Sequence, residues 1–152
     1  MSKPVKLILC IVACIAAGAI GALFTDTGSW YQALNKPIFN PPSWLFGPVW
    51  TTLYILIGIA GGLAWSTESS QTPTAMRWYW IQLGLNTLWS FSFFGLQNPL
   101  VGLINILFLL AAIIMTMIYF FKVKQLSGWL MMPYLAWVSF ATLLNASIWW
   151  LN

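Results

Sequence analysis

Residues 78–121 read WYWIQLGLNTLWSFSFFGLQNPLVGLINILFLLAAIIMTMIYFF, a run with no charged side chain. A helix crosses the hydrocarbon core in about 20 residues, so the run holds two spans. Gln97-Asn98-Pro99 sits at its middle and is the natural break. A transmembrane barrel would instead need alternating segments of about ten residues. Leu107-Phe108-Leu109-Leu110-Ala111-Ala112-Ile113-Ile114 does not alternate, which excludes it. Further charge-free runs cover 7–25, 37–67 and 125–152. Together they predict an all-α integral membrane protein, a bundle of five transmembrane helices near 5–24, 46–66, 77–96, 100–121 and 128–150. The whole chain, 1–152, then forms one domain, with a long lid loop at 25–45.

Composition points the same way. The chain is 61% hydrophobic and 5% charged, against roughly 25% charged in an average soluble domain. A soluble globular fold and a disordered chain are both excluded. Lys3, Lys6, Arg77, Lys122 and Lys124 fall on one side of a five-span chain, and only Lys36 on the other. Positive charge marks the cytoplasmic side, which predicts a cytoplasmic N-terminus and an external C-terminus. The net charge of +4 follows from this bias and does not point to nucleic acid. The first apolar stretch, up to Phe24, exceeds the usual 7–15-residue core of a cleaved signal and is read as a retained span. Cys10 and Cys14 lie one helical turn apart, where a disulfide is geometrically disfavoured. Without His or carboxylates beside them they make no metal site and are read as small packing residues.

The segment Thr25–Leu45 is long for a connection, and such loops are usually functional or partly structured. Asp26 or Thr27 is expected to cap a short helix through Ser29–Leu34, with Trp30 and Leu34 sharing a face. Pro37 ends it, and Pro41-Pro42 hold the backbone extended before the second span. The segment Ser66–Thr74 is a plain polar linker.

No span carries an internal ionisable residue apart from Cys and Tyr, which weakens readings as an ion-coupled pump. The absence of His excludes His-ligated haem and Ser–His catalysis. The spans hold aromatic rings and a few amides instead. Trp50 and Tyr54 are neighbours on span two, where Gly58 and Gly62 continue a small-residue ridge. Asn86, Trp89, Ser90 and Phe93 form one stripe on span three. Pro133, Trp137, Ala141 and Asn145 form another on span five. Asparagine is costly against lipid, so Asn86, Asn105 and Asn145 should face inward and carry the indoles of their stripes with them. The stripes serve either as helix glue and core or as a pocket wall. An uncharged pocket of rings, amides and hydroxyls suits a flat apolar ligand with polar edges, such as a sterol, a tetrapyrrole or a heteroaromatic drug.

The motifs Trp30-Tyr31-Gln32-Ala33-Leu34-Asn35-Lys36-Pro37, Asn40-Pro41-Pro42, Gly47-Pro48-Val49-Trp50, Leu85-Asn86-Thr87-Leu88-Trp89-Ser90 and Pro133 to Asn145 closely resemble the TspO/MBR family, over nearly the whole chain and in the right order. That family comprises bacterial tryptophan-rich sensory proteins and the mitochondrial translocator protein, once called the peripheral benzodiazepine receptor. The resemblance implies a homodimeric five-helix bundle, here in a bacterial cytoplasmic membrane. It implies binding of protoporphyrin IX and related tetrapyrroles, cholesterol in some members, and isoquinoline carboxamide and benzodiazepine drugs. No cofactor is required. It places Tyr31, Pro41 and Pro42 on the lid. It places Trp50, Asn86, Trp89, Ser90, Trp137 and Ala141 in the pocket, to which the stripes add Tyr54, Phe93 and Asn145. Bacterial relatives are associated with light-dependent porphyrin breakdown, for which Trp50 and Trp137 are the candidate catalytic residues. The implied role is sensory or porphyrin-protective, and the alternative is a porphyrin or sterol transporter. The cholesterol-recognition pattern of animal members needs a Tyr followed by Lys or Arg near the end of span five. The last residues, Ala146–Asn152, have neither. The small-residue pairs Ala17/Gly21 and Gly58/Gly62 allow close helix approach, either between copies or within one chain.

Overall fold

A computed structural model describes residues 1–152 and contains helices and connections but no strand. Seven α-helices follow one another: α1 (Lys3–Phe24), α2 (Ser29–Ala33), α3 (Phe46–Trp65), α4 (Thr72–Ser90), α5 (Pro99–Val123), α6 (Gln125–Leu130) and α7 (Met132–Leu151). A 3₁₀ turn, Ser43–Leu45, leads into α3, and a π-helical turn, Phe91–Gly95, extends α4. Proline stands in the first turn of α1, α4, α5 and α7. There its missing N–H is no loss, because that group has no helical partner anyway. The break foreseen at 97–99 is a sharp corner. Gln97 takes φ of 51°, and Asn98 Oδ1 accepts the backbone N–H of Leu100 (3.1 Å) and Val101 (3.3 Å), capping α5.

Four helical segments are long and apolar enough to cross a membrane: Lys3–Phe24, Ser43–Trp65, Pro99–Val123 and Gln125–Leu151. The segment foreseen at 77–96 falls short by that measure, so length and composition alone do not carry a count of five spans. It begins earlier, at Thr72, and carries Arg77, Gln82 and Asn86 among its indoles. The span foreseen as continuous over 128–150 is broken at Met131. Pro133 offers no N–H to the carbonyl one turn back, so α6 ends and α7 begins beside it. Lys124, in extended backbone, is the whole connection between α5 and α6.

The long helices close a ring in which α1 packs between α3 and α4, α4 meets α5, α5 meets α7, and α3 reaches α6 and α7. The core between them holds Ile57, Tyr79, Ile113, Phe120, Tyr134 and Val138. Large apolar side chains such as Ile8, Val12, Ile15, Leu107 and Phe108 point outward, as a lipid-facing surface requires. Cys10 and Cys14 are free and buried in the core, and Cys14 Sγ lies 3.1 Å from the Tyr79 hydroxyl.

Both small-residue pairs work within the chain. A Cβ added at Gly58 would lie 2.7 Å from Ile11 Cα, and one at Gly62 would lie 2.6 Å from Leu7 Cα. The backbones of α1 and α3 therefore touch along this ridge. Ala17 is buried, and Gly21 faces Ser90 on α4. Gly58→Leu must push α1 away and should lower stability by about 1–3 kcal/mol. Gly84 has open space around it, so Gly84→Ala should be neutral or stabilising by up to about 1 kcal/mol. Thermal unfolding of both variants in detergent checks the contrast.

Candidate functional site: a ring-walled cavity under the lid

The lid docks by its own small helix. Contrary to the expectation, neither Asp26 nor Thr27 caps α2. The N-cap is Gly28, whose N–H donates to Asp26 Oδ1 at 2.8 Å, so the carboxylate closes a turn one step before the helix. Trp30, Tyr31 and Leu34 then pack on Phe93, Leu144 and Ile148. Trp30 meets the rings of Phe93 and Phe94 edge-on at 5.6 and 6.4 Å. The Lys36 ammonium covers the Tyr31 ring at 4.5 Å, a cation–π contact that holds the segment after α2 to that helix. Burial pushes the Tyr31 hydroxyl above its ordinary pKa, so it stays neutral and able to donate at physiological pH.

The middle of the lid, just past α2, is latched to the end of α7. Asn152 Oδ1 accepts the Asn35 N–H (3.0 Å), and Asn152 Nδ2 donates to the Asn35 carbonyl (2.9 Å). Asn35 Nδ2 also donates to the Leu151 carbonyl (3.3 Å). The lid and the C-terminal residues thus share one end of the bundle. At the other end Lys6 Nζ reaches the Trp65 carbonyl (3.4 Å) and sits over the Trp65 ring.

Beneath the lid lies a cavity of about 260 Å³. Helix α3 contributes Phe46, Gly47, Trp50 and Tyr54. The α4 segment and its π turn contribute Asn86, Trp89, Ser90, Phe93 and Phe94. Helix α7 contributes Trp137, Ala141, Leu144, Asn145 and Ile148. Tyr31, Thr25, Thr27 and Ser43 reach it from the lid, and Gly18, Gly21 and Ala22 from α1. None of these residues is charged. Of the residues singled out in the sequence, Tyr31, Trp50, Tyr54, Asn86, Trp89, Ser90, Phe93, Trp137, Ala141 and Asn145 come together here. Pro41 and Pro42 do not line it; Pro42, in extended backbone, leads the strap into Ser43.

Several lining residues had no flag in the sequence reading. The α1 face presents small residues at Gly18, Gly21 and Ala22, of which only Gly21 stood out in the sequence, as half of a helix-approach pair with Ala17. A Cβ at Gly18 would strike the Tyr54 ring. Phe94 was missed because it lies off the helical stripe of Asn86, Trp89 and Phe93. The π turn adds a residue there, shown by Leu96 N–H donating to the Phe91 carbonyl at 2.8 Å, and such turns re-aim side chains at functional sites.

The amides fix the rings. The Trp89 indole N–H donates to Asn145 Oδ1 (3.0 Å), and Asn145 Nδ2 donates to the Pro99 carbonyl (2.8 Å). Trp89 stacks on Phe93 at 5.3 Å. Trp50 lies tilted against Tyr54 at 5.5 Å and edge-on to Tyr134. Trp137 packs on Phe46 and Phe140. Asn105 is inward as expected but lies outside the cavity, donating to the Leu85 carbonyl between α5 and α4. No three His, Cys, Asp or Glu side chains come together to hold a metal. A flat ligand in this site would be held by stacking, packing and a few neutral hydrogen bonds.

Comparison with known proteins places the chain. The sequence pattern of the TspO/MBR family matches residues 10–151. The chain is 46% identical over 149 residues to the tryptophan-rich protein TspO of Archaeoglobus fulgidus, covering 97% of each. It is 38% identical over 135 residues to the tryptophan-rich sensory protein of Cereibacter sphaeroides, covering 89% of this chain and 84% of the relative. It is 38% identical over 125 residues to the human translocator protein, covering 79% of this chain and 73% of the relative.

Asn145 bonds one donor and one acceptor at once, both partly buried. Asn145→Leu orphans the Trp89 N–H and removes the second bond of the Pro99 carbonyl, which stays in the first turn of α5 and keeps its helical bond. It should cost about 1–3 kcal/mol and free the Trp89 ring. Chemical or thermal unfolding, with tryptophan emission read alongside, checks both effects.

Proposed function

The chain belongs to the TspO/MBR family, and from that premise we propose that it binds tetrapyrroles of the protoporphyrin IX kind, and related flat apolar ligands, in the cavity under the lid. The observation that carries this reading is the wall itself. Trp50, Trp89 and Trp137 stand on three different helices around one uncharged space, with Asn86 and Asn145 among them. The protein is an integral membrane protein, and the α4 segment is proposed as its fifth span. It is wedged between α1 and α5 and turns its amides inward, so its polar residues do not meet lipid. The basic residues then collect at the end away from the lid, which the positive-inside rule assigns to the cytoplasm. The homodimer that the family resemblance implies would need a face other than the Gly58/Gly62 and Ala17/Gly21 pairs, which are spent within the chain.

The proposed role is sensory or porphyrin-protective, as the name of the Cereibacter sphaeroides relative suggests. In light, Trp50 and Trp137 would be the residues closest to a bound macrocycle and the candidates for its breakdown. Transport, suggested by the name translocator protein among the relatives, is the second reading. The buried polar side chains are Gln, Asn, Ser and Thr, with no charged group among them. That favours binding over transport coupled to an ion gradient. At about 260 Å³ the cavity lies below the roughly 300–1,000 Å³ of small-molecule sites, so a whole tetrapyrrole requires the lid to lift.

Protoporphyrin IX titrated into the detergent-solubilised protein should quench tryptophan emission. The double variant Trp50→Phe/Trp137→Phe, which keeps a smaller ring at each site, should bind about threefold to thirtyfold more weakly and lose any light-driven loss of the porphyrin band. Unchanged affinity and photochemistry would remove both residues from the site. Asn152→Ala opens the latch and should speed both association and release of the same probe, read by stopped-flow quenching. Unchanged rates would show that the lid does not gate entry.

A further inference from the structure

Beneath the cavity, four side chains from α3, α4 and α7 form one hydrogen-bonded chain. The Tyr54 hydroxyl donates to Asn86 Oδ1 (2.7 Å), Asn86 Nδ2 donates to the Tyr134 oxygen (2.8 Å), and the Tyr134 hydroxyl donates to Gln82 Oε1 (2.8 Å). Tyr54 and Asn86 line the cavity. Tyr134 and Gln82 are fully buried, and Gln82 Nε2 has no partner.

Each member of this chain can both donate and accept, the amides at two different atoms and the tyrosines at one hydroxyl. Turning both amides over and rotating both hydroxyl protons reverses every link while the oxygen and nitrogen positions stay nearly fixed. In the observed sense Tyr54 spends its proton on Asn86 and offers a ligand only an acceptor oxygen. In the reversed sense Asn86 donates to Tyr54, whose proton is then free to point into the cavity. The unpartnered Gln82 amide keeps the two senses close in energy. The observed sense leaves its N–H groups without acceptors, and the reversed sense uses one of them but strands its carbonyl. Gln82 is the terminus from which the direction of the whole chain is chosen.

We infer that Gln82 is a positioning residue that sets the ligand selectivity of the cavity through Tyr134 and Asn86, without touching the ligand. With Gln82 accepting, the Tyr54 end favours flat apolar ligands that carry an N–H over those that carry a carbonyl at the same place. This rests on the cavity being the ligand site, as proposed above.

The test removes the acceptor. In Gln82→Leu the buried Tyr134 proton has only Asn86 Oδ1 left to bond, so the chain reverses. Gln82→Met removes the same acceptor with an unbranched side chain and serves as a second variant. The first measurement needs no ligand. Ultraviolet resonance Raman difference spectra, each protein minus its own Tyr54→Phe counterpart, report whether the Tyr54 phenol donates or accepts through its Fermi doublet. The expected result is a donor in the native chain and an acceptor in both Gln82 variants. The second measurement compares carbazole, which carries an N–H, with fluorenone, which carries a carbonyl on a similar three-ring frame. The native protein should prefer carbazole. The ratio of the two dissociation constants should move toward fluorenone by roughly threefold to tenfold in the Gln82 variants. In a Tyr134→Phe background, where the chain is cut, Gln82→Leu should move neither readout. A Tyr54 signature unchanged in folded Gln82 variants overturns the inference. So does a ratio that stays put, or one that shifts equally in the Tyr134→Phe background. If the Raman signature reverses while neither probe binds the native protein, the relay stands and the cavity's role as ligand site is what fails.

Discussion

In a bundle whose outer surface is apolar, a polar side chain turned inward must find its partner inside the protein, because neither lipid nor bulk water will supply one. The architecture around the cavity follows from that constraint. Asn145 takes the Trp89 indole proton and gives its own to the Pro99 carbonyl, which ties α4, the start of α5 and α7 into one corner. Asn86 stands between two tyrosines on two other helices. Thr87 donates to the Ala17 carbonyl on α1 (3.1 Å), and Asn105 donates to α4 from α5. These few directional bonds set the rotation of each helix about its axis, and the rings between them inherit fixed positions. The cavity is the space those rings cannot fill.

That same constraint explains what could be read from the sequence. An asparagine within a span must face inward, and a helix of 3.6 residues per turn carries its neighbours at three, four and seven positions with it. Ten of the twelve residues drawn from such stripes and from the family motifs meet around one cavity. One helix start was legible too, because Asn98-Pro99 marks the corner before α5; the start of α4 at Thr72 was not. What escaped is what depends on close contact or on departures from regular geometry. The α1 wall consists of Gly18, Gly21 and Ala22, which carry no chemical signal of their own. Phe94 reaches the cavity only through a π turn that no side-chain pattern announces. The latch pairs Asn35 with Asn152, residues far apart in sequence and each unremarkable alone. The split of the last span at Met131 is local and was visible in Pro133, but the apolar run masked it.

The lid and the bundle meet through two different kinds of contact. At one end Trp30 and Tyr31 sink into the aromatic cluster of Phe93 and Phe94, which is a broad apolar contact. Just past α2, three hydrogen bonds join Asn35 to the last residues of α7, and all of them lie in exposed positions where water competes.

The central claim is that the ring-walled cavity is where this protein meets its ligand. A structure of the protein with bound protoporphyrin IX tests it most directly. The account predicts the macrocycle beneath a lifted lid, with Trp50 and Trp137 against its faces or edge. A macrocycle seated instead on the lipid-facing surface, or in the groove between Ile38 and Trp150 outside the lid, would contradict it.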